Sequence, residues 1–155
     1  MTNSSEKDSQ AIQIHLEITQ SVIQRMASNS ASCKAWCITL VSAILVIVAD
    51  KGKPQYALIA VMPTILFLIL DAYYLALERM FRSSYNKFIE KLHNGKVVAS
   101  DLYAVSPSGS KIKTSLASLL SFSIWPFYLT LFAMIFCIKK IVLNPNPPYW
   151  VWLSK

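Results

Sequence analysis

Residues 54–82 read PQYALIAVMPTILFLILDAYYLALERMFR. From Gln55 to Leu77 the only charged residue is Asp71. At about 1.5 Å per residue a helix over that stretch is roughly 34 Å long, enough to cross a bilayer. No Gly or Pro separates it from Glu78, Arg79 and Arg82. The helix can therefore leave the membrane carrying an acidic and basic collar on its last turns.

Two further blocks, residues 35–49 (AWCITLVSAILVIVA) and 114–138 (TSLASLLSFSIWPFYLTLFAMIFCI), contain no charge at all. With 54% hydrophobic residues, 15% charged and 3 glycines in 155, the composition is far from that of an ordinary soluble domain. The reading is an all-α membrane protein with three transmembrane helices and amphipathic cytoplasmic helices. Its segments are an N-terminal cytoplasmic helix (1–32), a transmembrane hairpin (33–78, spans 33–50 and 54–78) and a cytoplasmic helix and loop (79–113). A third span (114–138) and an aromatic interfacial tail (139–155) follow. The first block is also short enough for a buried soluble helix, but Lys34 on one side and Asp50 to Lys53 on the other can snorkel and restore the length.

A net charge of +7 in a soluble chain would point to nucleic acid or an acidic partner, but here the placement matters more. Arg79, Arg82, Lys87, Lys91, Lys96, Lys111 and Lys113 crowd between the second and third blocks, and the richest loop is expected on the cytoplasmic side. That puts the N-terminus in the cytoplasm and the C-terminus outside, against which Lys139 and Lys140 argue. The first 30 residues show no cleavable signal peptide pattern. Cys33, Cys37 and Cys137 lie in or beside the apolar blocks without a histidine at ligand spacing, and read as small apolar fillers.

The tip, residues 1–9, is polar and reads as disordered. In residues 11–28, steps of about 100° collect Ile12, Leu16, Thr19, Ile23, Met26 and Ala27 on one helical face, with Gln13, Glu17, Gln20 and Gln24 opposite. A membrane-surface helix usually has a basic polar face. This one has glutamines, which favours protein contact. Residues 79–94 form a second amphipathic helix with Met80, Phe81, Tyr85, Phe88, Ile89 and Leu92 at helical spacing, ended by Gly95. The small polar residues 28–32 suit either a new helix cap or a bend in a continuous helix.

DKGKP at 50–54 is a tight turn that makes the first two spans an antiparallel hairpin. Counting from Gly52, Lys34 lies 18 residues back and Asp71 19 forward, while Arg25 lies 27 back and Glu78 26 forward. Lys34 with Asp71 and Arg25 with Glu78 are therefore candidate ion pairs at matching depth. An intramembrane acid of this kind is either a structural clasp or part of a latch or polar path. Arg79, Arg82, Lys87 and Lys91 either meet anionic lipid headgroups or contact an anionic signal.

Residues 95–113 read as a polar loop with a short extended piece at 97–99. Thr114, Ala117, Ser118 and Ser121 offer a small-residue face for close packing. Pro63 and Pro126 are placed to kink the second and third spans. Tyr149, Trp150 and Trp152 sit where an interfacial anchor belongs. Neither His15 nor His93 has partners for acid–base catalysis, and no metal-ligand or cofactor motif is present, so the chain does not read as an enzyme. Both histidines read as surface or packing residues.

HLEITQSVIQRMASNS (15–30), KAWCITLVSA (34–43), Asp50-Lys51, ALIAVMPT (57–64) and LDAYYLALERMFRSSYN (70–86) together resemble small bacterial membrane proteins encoded in anti-phage defence loci beside nucleotidyltransferases. Among these they resemble the Hailong-type membrane effector. The resemblance implies an oligomeric channel in the bacterial inner membrane, kept closed by a nucleotide or oligonucleotide signal, whose opening depolarises the infected cell. In that setting Asp71 and Glu78 would stand near the inner mouth with Lys34 and Arg25 holding them closed, and Arg79, Arg82, Lys87 and Lys91 would contact the signal. Residues 95–155 carry no part of the resemblance. A non-conducting anchor that recruits a cytosolic partner through residues 11–28 and 79–94 is the competing reading.

Overall fold

The computed structural model describes residues 2–102 and 104–143. Among them every regular element is helical: α1 (Thr2–Lys51), a 3-10 helix (Pro54–Ala60), α2 (Val61–His93), α3 (Ala99–Leu102), α4 (Lys111–Leu119) and α5 (Trp125–Leu143). The aromatic anchor expected at Tyr149, Trp150 and Trp152 lies outside the described residues.

α1 is a single helix because residues 2–51 contain neither Gly nor Pro. Residues 28–32 are therefore interior positions and no new helix is capped there. The tip expected to be disordered continues the same helix from Thr2. α1 stops at Gly52, whose φ of 61° is open to glycine and strained for most other residues. Pro54 then starts a tighter 3-10 winding to Ala60 before α2 begins at Val61. Pro63, expected to kink the span from within, instead sits in the first turn of α2, directly after the 3-10 stretch, where its missing N–H matters least.

α2 ends in a Schellman motif. The Lys96 N–H donates to the Lys91 carbonyl at 2.9 Å and the Gly95 N–H to the Leu92 carbonyl at 3.1 Å, with Gly95 at φ 63°. A Cβ at Gly95 would meet nothing within 4 Å, so Gly95→Ala is expected to cost only the left-handed backbone term, about 1–2 kcal/mol. Gly95→Asn should recover part of it. Denaturant unfolding in detergent micelles, followed by helicity, reads both.

The continuous helix expected over 114–138 is two helices. α4 ends at Leu119 and α5 starts at Trp125. A helix running through this region would set the Pro126 ring against the Phe122 carbonyl. Instead, Ser121 Oγ accepts from the Ser123 N–H at 3.4 Å and the Ser121 carbonyl accepts from the Ile124 N–H at 3.1 Å, giving the backbone a local alternative. Pro126 becomes the second residue of α5, where no intrahelical donor is required.

Two stretches, Ser9–Lys51 and Pro54–His93, are long and apolar enough to cross a membrane. In their most apolar parts only 28% and 22% of residues are buried within the chain, whereas the core helix of a soluble protein hides most of its apolar surface. Val46, Ile47, Met62, Leu66 and Ile69 all face outward.

The chain divides into two compact units, with α1 and α2 contributing to both. The first comprises the chain up to Ala31 and Asp71–Leu120. Its buried positions are largely polar or small: His15, Thr19, Ser30, Asp71, Ala72, Ala76 and Ser118, together with Met80 and Phe88. The α1 face expected from periodicity is the less exposed one here, and Gln13, Glu17, Gln20 and Gln24 are exposed. The second unit comprises Ser32–Leu70 and the chain from Ser121 onward. Cys33, Cys37, Val41, Leu45 and Val48 form a buried stripe on α1 at helical spacing. Ala57 and Ala60 are fully buried in the 3-10 helix, which packs against α5. Among the described residues of this last segment, Ile124, Tyr128, Leu131 and Ile135 are buried.

Candidate functional site

The first unit gathers most of the polar residues singled out in the sequence. Asp71 is fully buried, and the Ser30 hydroxyl donates a short hydrogen bond to its Oδ1. Both residues sit inside uninterrupted helices, so the clasp joins α1 to α2 through side chains alone. Two turns further along α2, Glu78 is largely buried and pairs with exposed Arg82 at 2.8 Å. This is an i,i+4 pair within one helix, of the kind that contributes a few tenths of a kcal/mol, about 0.3–0.5. Arg25, expected opposite Glu78, is exposed on α1. Lys34 is half-buried on α1 and belongs to the second unit.

The cations expected to meet an anionic signal differ in their surroundings. Arg79 Nη1 donates to the Ser118 hydroxyl of α4 at 3.4 Å. Lys91 Nζ meets Asp101 Oδ1 at 2.8 Å. Lys87 is exposed and carries no ion pair among the described residues.

The chain after Gly95 folds back along α2, which nothing in the sequence pattern announced. Moving away from the turn, Asp101 reaches Lys91, the Ser106 carbonyl accepts from the Ser84 hydroxyl at 2.6 Å, and the Ser108 N–H donates to the Met80 carbonyl at 3.4 Å. The segment expected as an extended piece leads into α3. There the third helical residue, Asp101, accepts from the Val98 N–H at 3.2 Å, the reciprocal half of a capping box. α4 starts in a similar way, with Ser110 as its N-cap accepting from the Lys113 N–H at 3.5 Å.

His15 ties α1 into this arrangement. Its ring lies 4.3 Å from that of Phe88, centroid to centroid, and Nδ1 donates to the Leu102 carbonyl at 3.0 Å. A carbonyl only accepts, so this contact places the imidazole proton on Nδ1. Gln20 Nε2 donates to the Tyr85 hydroxyl at 3.1 Å. Residues 11–28 and 79–94 therefore meet each other in the first unit. Between them and the returning loop is a cavity of about 240 Å³, whose walls include Leu16, Lys87, Phe88, Ala104, Val105 and Ser108.

The Asp101 carboxyl is held below its ordinary value of 3.8, first by the Lys91 hydrogen bond and then by the Val98 N–H. A carboxyl with a lowered folded-state value contributes stability that is fully present above 3.8 and is lost as pH falls through the lower folded value. Loop 96–108 is expected to loosen only in that acidic window. Amide exchange at Val98 and Asp101, measured against pH, checks it; Asp101→Asn should flatten the profile.

No family model, curated protein or solved structure matches the chain.

Proposed function

We propose that the chain is a bacterial inner-membrane effector that assembles as a homo-oligomer and gates ion flow, in the manner of Hailong-type defence proteins. The crowding of Lys and Arg between the second and third apolar blocks supports a cytoplasmic N-terminus. The observation that carries the membrane part is the low burial of two long apolar helices, 28% and 22% in their most apolar stretches. In water that surface would drive aggregation; in lipid it is at home. α5, with its uncharged run from Trp125 to Ile138, supplies a third crossing. Three crossings per subunit enclose no aqueous path, so conduction requires several copies.

In this reading Asp71, at the end of the apolar run and clasped by Ser30, belongs to the gate, with Lys34, Arg25 and Glu78 nearby in sequence depth. Arg79, Arg82, Lys87 and Lys91 form the basic collar for a nucleotide or oligonucleotide signal made by a nucleotidyltransferase partner. The test is potassium flux from proteoliposomes holding the wild type or Asp71→Asn at equal density. The wild type is expected to conduct and the variant to change the flux severalfold. No flux at any protein density would reject conduction, and an unchanged variant would remove Asp71 from the gate.

A non-conducting anchor is the second reading, and one observation favours it. The hydroxyls of Thr39, Thr64 and Thr130 donate to the carbonyls of Ala35, Ala60 and Pro126 at 2.9, 2.7 and 2.7 Å. They are satisfied by backbone carbonyls four residues back and offer little polar lining.

A further inference from the structure

We propose that the cavity of the first unit binds a small monoanionic carboxylate with a flat or branched apolar body. This goes beyond the membrane reading and stands whether or not the protein conducts ions. A volume of about 240 Å³ holds roughly eight waters at about 30 Å³ each, the room needed by a molecule the size of benzoate. The walls suit such a body: Leu16 comes from α1, Phe88 from α2, and Ala104 and Val105 from the returning loop.

Charge selects the head group. Two lysines and one aspartate line the cavity. Lys91 and Asp101 neutralise each other at 2.8 Å, which leaves Lys87, exposed at the rim and without an ion pair among the described residues. A single uncompensated positive charge matches a monoanion better than a doubly charged phosphoryl group. Ser108 supplies the second polar group. Its hydroxyl is buried without a hydrogen-bond partner on the same cavity wall, and an unpartnered buried donor is uncommon in a folded protein. With the Ser108 side chain turned into the cavity, a carboxylate bridging its hydroxyl and the Lys87 ammonium would satisfy both. A ligand so placed touches α1, α2 and the loop at once, and should hold the loop down.

The full-length chain in detergent micelles, titrated with para-fluorobenzoate and followed by fluorine NMR, tests the site. Saturable binding is expected in the wild type. Lys87→Gln should weaken it about tenfold and Ser108→Ala about threefold to tenfold. Lys96→Gln, beyond the end of α2, should leave it unchanged. Val105→Trp, which fills the cavity, should abolish it; Ala104→Trp repeats that test, and helicity by circular dichroism shows whether each variant is folded. The neutral analogue para-fluorobenzamide should bind about tenfold more weakly. Unsaturable signal in the wild type, binding that survives in a folded cavity-filled variant, or benzamide binding as tightly as benzoate would each overturn the proposal.

Discussion

Ser30→Ala is expected to destabilise the first unit by about 1–3 kcal/mol. The substitution removes one heavy atom and keeps a good helix former in α1, so packing and propensity contribute little. What is lost is the hydroxyl that donates to Asp71 Oδ1 at a fully buried position. A buried carboxyl oxygen deprived of a donor keeps its desolvation cost. Asp71→Ala should cost as much or more, because it removes the acceptor and opens space between α1 and α2. The informative quantity is the double-variant cycle. Ser30→Ala and Asp71→Ala together should fall short of their sum by about 0.5–3 kcal/mol, measured by unfolding in detergent micelles. A coupling near zero would mean the two side chains do not hold the helices together. In the proposed channel the same variants should raise basal flux, since a weakened clasp shifts the population toward the open state.

Tyr128→Ala carries the largest expected loss, about 3–5 kcal/mol. Tyr128 is fully buried, stands edge-on to Phe127 with ring centroids 5.0 Å apart, and shares its helical face with Ile124, Leu131 and Ile135. In the proposed membrane setting helix packing would gain nothing from excluding water, so the loss would come from van der Waals contacts left unfilled. The lower end of the range therefore applies, about 3 kcal/mol. Ala57 and Ala60 in the 3-10 helix let that helix approach α5 closely. Tyr128→Phe, which keeps the ring, should retain most of the stability. Equal melting of Tyr128→Ala and wild type would show that α5 is not packed as described.

The parts of the fold legible in the sequence are those governed by local rules. The face of α1 bearing Ile12, Leu16, Thr19 and Ile23 follows from periodicity, and the stops at Gly52 and Gly95 follow from backbone freedom that only glycine has. Proline was legible as a disturbance but not as a position. Pro126 marks a break of which the turn at Ser121 and Ser123 chooses the place, and Pro63, expected to kink its span, falls instead in the first turn of α2 after a 3-10 stretch. The site was less legible because its contacts are long-range. Ser30 looked like a cap residue, and its partner Asp71 lies 41 residues away. The His15 contact with Leu102 spans 87 residues. Asp101 and Ser108, which shape the cavity, sit in a loop with no periodicity to show that it returns along α2.

α1 and the stretch from Pro54 through the first half of α2 are the segments proposed to cross a membrane. Alkaline carbonate extraction of membranes from cells expressing the full chain tests this crossing most directly. The protein is expected to stay with the membrane pellet and to leave it only in detergent. Recovery of the folded, helical protein in the carbonate supernatant would contradict the account, because helices with so much outward apolar surface would then have to be covered by other protein and not by lipid.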